Sequence, residues 1–586
     1  MHYVVTSLRS LYRMAEQNVE AKVKKLLKQD KIQLWKAPYT LDGQQPGDEH
    51  MQELAERYGV LLRMPGSEIA GTLEVIRVQA LRRGQRNQTF RETNMATVEL
   101  LLPRDCNKVP VHLSNFGLCV RIAKEVGLKS FKVILNGKTL NGGLRLDQQG
   151  VCNHSKMMVL KVSAAGVGPS TSQDGSDATA ASQSTSHDHS VQRTHRGFQI
   201  LSERDGSDSL QTTPFLEVAD QKGNPLKIPH KEKKALILAM GLHEKGRALM
   251  KRKRHDDALC HLLQADLHFS ECGSELLGAV DNYGVLQLDI VWCYQALEAL
   301  SCLDDGRERL RLAEDCFLRC YGEQQQRLLM IKGNTGREEV LFLRLHLLQS
   351  LLAFVDGNDH QAQQQLDQVE LLYTRLCPDT DKMTQLMVLG FSEREARLGL
   401  RACHGDVHEA AMLISNQTQR EELRQRERRK RQQTKAGLAI LAEAGYAARD
   451  AATALERADG NVDQAFQVST LTSRVAAGRD HELLYLGFER SPSEAALALT
   501  GGDVQLATEL LMDNRGAVPS AATPPSEEEP STSSSSTGRS SPSCELVNEV
   551  LEDIPHHEDD YLDLTLEEEM QLINTIKTHL ARSLAH

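Results

Sequence analysis

Aromatic side chains are scarce in this sequence: Phe, Trp and Tyr make up 4% of its 586 residues. Few aromatics beside 25% charged residues suit helical modules joined by solvated linkers, not one large core. No stretch approaches the ~20 apolar residues that a membrane span needs, so no spanning segment is expected, and no membrane is counted among the expected partners. There is no basic excess. The formal net charge of −11 argues against general nucleic-acid binding, because a phosphate backbone rewards clustered Lys and Arg. The twelve cysteines include no C-x-x-C pair, and the closest two, Cys316 and Cys320, fit one helix face. This pattern predicts reduced thiols in the cytosol or nucleus rather than a disulfide framework. No zinc-ligand spacing and no Cys/His nucleophile pair is visible, so no catalytic residue, metal or cofactor is expected. Cys403-His404 is adjacent in sequence but belongs to a helix of a repeat. Arg9 and Arg13, with no acid before Glu16, faintly resemble a transit peptide, but acids and a Lys-rich helix follow at once.

The length requires several domains, and the predicted fold is mainly α with one α+β domain. Residues 1–93 read as helical, with Val19, Val23, Leu26 and Leu27 at helix spacing among lysines. That helix either packs on a neighbouring domain or lies on a membrane surface. Residues 97–163 change to strands, one helix from Phe116 to Val126, then strands, with a turn at Asn136-Gly137. Residues 164–198 are Ser, Thr, Gly, Ala and Asp, and are expected to be a disordered linker. His187, His189 and His195 lie there without the frame a metal site needs. Residues 231–377 predict three helix pairs: Ala235–Lys251 with His255–Ser270, Tyr283–Leu300 with Arg309–Tyr321, and Val340–Phe354 with His360–Leu376. Gly246-Arg247-Ala248-Leu249 and Asp257-Ala258-Leu259 resemble a tetratricopeptide repeat, with irregular spacing; an ordinary helical domain is the other reading. Residues 517–544 are Pro/Ser/Thr/Glu-rich and expected to be disordered. A last amphipathic helix spans 564–583, starting with a capping-box pattern at Thr565-Leu566-Glu567-Glu568. It either binds a partner or packs back on its own chain.

The strongest signal is a triple repeat at 382–416, 435–470 and 480–514. Gly390-Phe391 precedes Gly405-Asp406-Val407, Gly445-Tyr446 precedes Gly460-Asn461-Val462, and Gly487-Phe488 precedes Gly502-Asp503-Val504. The two glycines stand fifteen positions apart each time. Each unit reads as three short helices. The first glycine stops helix one in a left-handed turn, and the Asp or Asn after the second caps helix three.

These units resemble the ubiquitin-associated domain, a family that binds an apolar patch on ubiquitin through the Gly-aromatic loop and the end of helix three. The resemblance implies modifier-binding positions at Leu389, Gly390, Phe391, Leu413 and Ile414 in repeat one. In repeat three it implies Leu486, Gly487, Phe488, Leu510 and Leu511. In repeat two it implies Gly445 and Tyr446. There Ala444 and Ser469 replace apolar residues, so this repeat should bind worst.

Lys132-Val133-Ile134-Leu135-Asn136-Gly137-Lys138 and Met157-Met158-Val159-Leu160 make residues 97–163 resemble a ubiquitin fold. Alternation places Val133, Leu135, Met157 and Val159 inside and Ile134, Met158 and Leu160 outside. The outer three match the recognition patch of ubiquitin and imply a proteasome-docking face; the other reading is that the N-terminal helices cover them. No Gly-Gly ends the domain, so it is expected to be a fixed docking tag rather than a conjugated modifier.

This order of modules resembles the ubiquitin-like/ubiquitin-associated domain adaptors, as do Ile32–Lys36, Leu288–Cys293 and Glu395–Cys403. The resemblance implies a non-catalytic protein whose partners are ubiquitin-like modifiers, their conjugates and the proteasome. Two other readings stand beside it: a scaffold acting through the helical middle, and an enzyme of the same pathway. Arg424, Arg426, Arg428, Arg429, Lys430 and Arg431 form a basic run. It reads either as a nuclear localisation signal or as a salt-bridged solvated helix. The expected location is nucleus and cytoplasm.

Overall fold

The computed structural model describes residues 2–41, 44–93, 96–101, 108–113, 131–135, 138–141, 144, 146–161, 185–203, 228–273, 277, 280–299, 302–446, 448–500, 503–513, 542–552, 554 and 558–585. They fall into two compact bodies. One is built from residues 1–204, 216–414 and 540–586, the other from 205–215 and 415–539.

In the first body, α1 (His2–Gln29), α2 (Asp48–Leu62) and α3 (Gly66–Thr93) enclose a core of Val19, Val23, Leu27, Leu54, Tyr58 and Ile69. The spacing of Val19, Val23 and Leu27 turns one stripe of α1 inward. Polar groups dock α1 on the helical middle. The Asn18 amide donates to the Phe354 carbonyl (2.6 Å) and to Asp359 (2.9 Å), and Lys22 pairs with Asp359.

The sheet follows: β1 (Ala96–Leu101), β2 (Lys108–Leu113), β3 (Phe131–Leu135), β4 (Lys138–Thr139) and β5 (Lys156–Lys161). Their order is β2-β1-β5-β3-β4, with β1 and β5 parallel and the other neighbours antiparallel. Alternation sends Val98, Leu100, Val133, Leu135, Met157 and Val159 into one core. The expected helix Phe116–Val126 and the Asn136-Gly137 turn lie outside the described residues.

Beyond the sheet, α4 (Thr185–Glu203) occupies part of the segment read as a disordered linker. Residues 164–184 lie outside the described residues. Val191 and Phe198 within that segment, with Leu201 just beyond it, share one face of α4 and are buried, which is why a helix forms there.

The helical middle holds α5 (His230–Lys251), α6 (His255–Phe269), α7 (Asn282–Ala296), α8 (Leu303–Tyr321), α9 (Gln326–Lys332), α10 (Glu339–Val355) and α11 (Asp359–Leu376). The three predicted helix pairs are present, each helix packed on the next. α12 (Thr380–Val388), α13 (Glu393–Ala402) and the first turns of α14 (Val407–Glu443) form repeat one. In the second body, the end of α14, α15 (Ala448–Arg457) and the start of α16 (Val462–Tyr485) form repeat two. The end of α16, α17 (Arg490–Leu499) and α18 (Val504–Asp513) form repeat three.

Two late helices return to the first body. α19 (Pro542–Leu551) packs on α4, where Val547 and Val550 join Phe198, Leu201 and Leu238. Phe198 in turn lies against Gly241 of α5; a Cβ there would fall 2.4 Å from the ring. α20 (Glu567–Ala585) packs on α10 and α11 through Leu572, Ile573, Ile576 and Leu580. The capping box expected at Thr565 is not how this helix starts. It begins at Glu567, and Leu566, drawn into the core, takes the preceding position with φ +66°.

His261 of α6 is buried, its Nδ1 donating to the Asp257 carbonyl (2.9 Å). Burial first, then the nearby Lys245 and Lys132, push the imidazole down to about 4. The unfolded chain binds a proton near pH 6.5 that the folded chain refuses, so stability falls as pH drops below that value toward 4. Acidification from pH 7 to pH 5 should cost this region about 2 kcal/mol. Urea unfolding followed by Trp292 fluorescence in a Trp35→Phe background should show this loss, and His261→Leu should remove most of it.

Candidate recognition surfaces

The three repeats are built on the same stereochemical points. Gly390, Gly445 and Gly487 adopt φ of +99°, +88° and +92°, and Gly405 and Gly460 adopt +85° and +84°. Side chains with a Cβ avoid this region, so these glycines stop the helices. Gly502 lies outside the described residues. Caps form at each third helix: Asp406 accepts from Glu409 N (2.8 Å), Asn461 from Gln464 N (3.2 Å) and Asp503 from Leu506 N (3.2 Å). In repeat one a capping box between Ser392 and Glu395 starts α13.

Repeat one closes on Leu386, Ala396, Leu400 and Ala410, with Phe391 half-buried against them. The aromatic after the glycine is therefore largely a core residue. Ile414 is buried too, its side chain pressed against Gly399. Both were expected at a recognition surface. One turn of a three-helix unit needs those apolar groups to close its small core. What faces outward is Val388, 81% exposed, Leu389, 64%, Gly390, and Met412, 55%, with Leu413 half-buried.

Repeat three repeats this division. Leu486, Tyr485 and Met512 are exposed, Phe488 and Leu510 are half-buried, and Leu511 is fully buried, again against expectation. In repeat two the Tyr446 ring meets Phe466 edge-on (5.5 Å), and its hydroxyl hydrogen-bonds Thr470 (2.9 Å). Gly445 and Ala444 are exposed and Ser469 is buried.

The sheet face departs furthest from expectation. Ile134, Met158 and Leu160, predicted to face out, are 2%, 0% and 0% exposed. They belong not to the core of their own domain but to a cluster with α5, α6 and α7 of the helical middle. The alternation was right; a second domain covers the outer side. Glu99, on the same sheet, pairs with Arg86 of α3 (3.5 Å).

Comparison with known proteins adds the lineage. Residues 95–162 match the family described as NUB1 ubiquitin-like domain, and residues 378–414 match the UBA/TS-N domain. A human protein, NEDD8 ultimate buster 1, is 40% identical over 95% of this chain and 96% of its own length. Its mouse counterpart is 42% identical over the same shares. The chain belongs to the NEDD8 ultimate buster 1 family. A bovine protein of that name is 36% identical over 30% of this chain and 92% of its own length. No solved structure matches. Among the described residues no helix is long and apolar enough to cross a membrane, and no cluster of His, Cys, Asp and Glu is placed to hold a metal.

In this member of the family, repeat one is fastened to the segment leading into α20. Arg397 pairs with Asp563, and Arg394 with Asp560 (3.6 Å). Arg401 is buried and donates to the carbonyls of Leu376 (3.0 Å), Leu562 (3.3 Å) and Leu564 (2.7 Å). Burial, with Arg397 beside it, pushes the guanidinium down to about 10, which leaves it charged at neutral pH. Sequence reasoning missed these arginines, because nothing local distinguishes a cation that will meet carbonyls 160 residues on. It also missed Val388 and Met412, which helix periodicity places on the outer stripe.

Three substitutions should separate core from surface. Phe391→Ala should destabilise repeat one by about 3 kcal/mol, and Arg401→Ala should do so by a similar amount by leaving buried carbonyls unpaired. Leu389→Asp should leave the melting temperature unchanged. Thermal unfolding of the three variants checks the ranking, and limited proteolysis should find residues 552–566 more accessible in Arg401→Ala alone.

Proposed function

We propose that this chain is a non-catalytic adaptor that captures ubiquitin-like modifiers, NEDD8 among them, with their conjugates, and delivers them to the proteasome. The observation that carries the reading is the apolar set Val388, Leu389 and Met412. It stands in water beside a left-handed glycine, on a module fixed to the rest of its body. Exposed aliphatic groups on a small, well-capped unit are poor for stability and well suited to an apolar partner patch. The names of the relatives and their matched domains support the choice of partner.

Repeats two and three act as further ubiquitin-associated domains in this reading. Both share the left-handed first glycine and the third-helix cap of repeat one. Repeat three offers Leu486 and Met512; repeat two, with Ala444 and a buried Ser469, offers least. Single contacts of this size bind weakly, and linked ones gain roughly 10²–10⁴ in avidity. Docking on the proteasome falls to Ile134, Met158 and Leu160. Their burial means that the sheet has to leave the helical middle before it docks. Arg426, Arg429 and Lys430 are exposed on α14, as a nuclear localisation signal requires, and the proposed location is nucleus and cytoplasm.

Val388→Asp with Leu389→Asp should weaken binding of NEDD8 to the full chain by about tenfold or more, read by titration calorimetry. Adding Leu486→Asp should weaken it further, and Ala444→Asp should add little. Unchanged affinity in the triple variant would remove the loops from the capture mechanism.

A further inference from the structure

The helical middle holds a seat for one particular shape, and its present occupant is a ubiquitin-like sheet. Lys132 stands opposite Leu160 and Ile134 opposite Met158, across β3 and β5. Alternation puts all four on one face. The three apolar members are buried among residues of α5, α6 and α7. The lysine is near enough to His261 of α6 to oppose its protonation. The helices therefore read two adjacent antiparallel strands with apolar groups at facing positions and a lysine among them. Those are properties of the fold rather than of this one copy of it. Another ubiquitin-like protein with apolar groups at the same positions offers the same surface.

We infer that this face of α5 and α6 is a further modifier-binding surface, on which a ubiquitin-like modifier competes with the chain's own ubiquitin-like domain. The inference rests on the adaptor reading above and adds a site that the repeats do not contain. Competition is decided by local concentration. The resident domain is tethered, which gives it an effective concentration on the order of millimolar. A free modifier at micromolar concentration loses that contest. A conjugate held at a repeat through the patch of one modifier tethers any second modifier it carries, and that copy meets the resident on comparable terms. Capture by the loops and occupation of the seat are thus successive contacts of one cargo, and the second follows from the first without any new source of affinity.

The test uses the full chain with the repeat loops disabled by Val388→Asp, Leu389→Asp and Leu486→Asp, so that binding at the seat is read alone. Leu160→Glu is added to unseat the resident sheet, and NEDD8 is the probe. Amide hydrogen exchange across residues 255–269 should quicken on adding Leu160→Glu. It should slow again with NEDD8, with affinity at least tenfold above that of the loop variant alone. A chain lacking residues 96–161 repeats the measurement if the glutamate unfolds the sheet, which exchange at Val98 and Leu100 would reveal. Quickened exchange that NEDD8 does not reverse would overturn the inference. So would exchange that neither change alters, because the face would then not be seated on α6. Failure of the adaptor reading looks different: NEDD8 affinity of the chain would not respond to the loop substitutions in the first place.

Discussion

Arg344 is the residue on which the first body closes. Its guanidinium lies over the Trp292 ring at 4.4 Å, buried between Asp289 of α7 (3.4 Å) and Glu569 of α20 (2.6 Å). His243 of α5 reaches the other oxygen of Asp289 (2.9 Å). Burial alone would raise the Asp289 carboxyl; His243, Arg247 and Arg344 outweigh it and hold it below its ordinary range. Charges this deep are tolerated only in company, and removing one partner from such a set costs about 3–5 kcal/mol. The last helix supplies one of the carboxylates, so the electrostatics of the middle are complete only when residue 569 is in place. The same return of the chain brings Asp563 and two carbonyls to α13. Orientation of repeat one and integrity of the helical core therefore depend on one segment.

The ubiquitin-like domain is integrated by a different force. On the outer face of its sheet, apolar burial, at roughly 25 cal/mol per Å² of surface removed from water, draws Ile134, Met158 and Leu160 onto the helices. Such contacts carry no directional commitment and separate without stranding a charge. The contrast sets parts of the first body clamped by buried ion pairs beside a sheet face covered by apolar burial.

Much of this was legible in the sequence because it was written locally. A glycine that stops a helix, an Asp or Asn that caps the next, and alternation in β3 and β5 each depend on neighbours a few residues away. Their outcomes are the φ values of Gly390 and Gly405, the cap on Asp406, and the core formed by Val133 and Met157. The misreadings concern what covers a surface. Periodicity marks Ile134 and Leu160 as lying opposite the domain core, but only the packed chain says that helices from residues 230 to 296 lie there. Phe391, Ile414 and Leu511 carry the same lesson at smaller scale: a short unit has so few apolar groups that most close its own core. α4 was hidden in a segment whose average composition is polar, yet three well-spaced apolar residues were enough once α19 arrived to cover them.

Repeats two and three share α16, whose 24 residues pass from the third helix of one to the first helix of the other. A shared rod fixes angular phase. Each residue advances a helix by about 100° and 1.5 Å, so one residue inserted in that span would swing Leu486 more than a quarter-turn about the axis relative to Tyr446. Seven inserted residues would bring it back to within about 20°, displaced by ~10 Å. The length of the stretch between the two loops thus encodes the bearing of one loop relative to the other. It is a quantity as specific as any side chain, and it is carried by residues that need touch no partner at all.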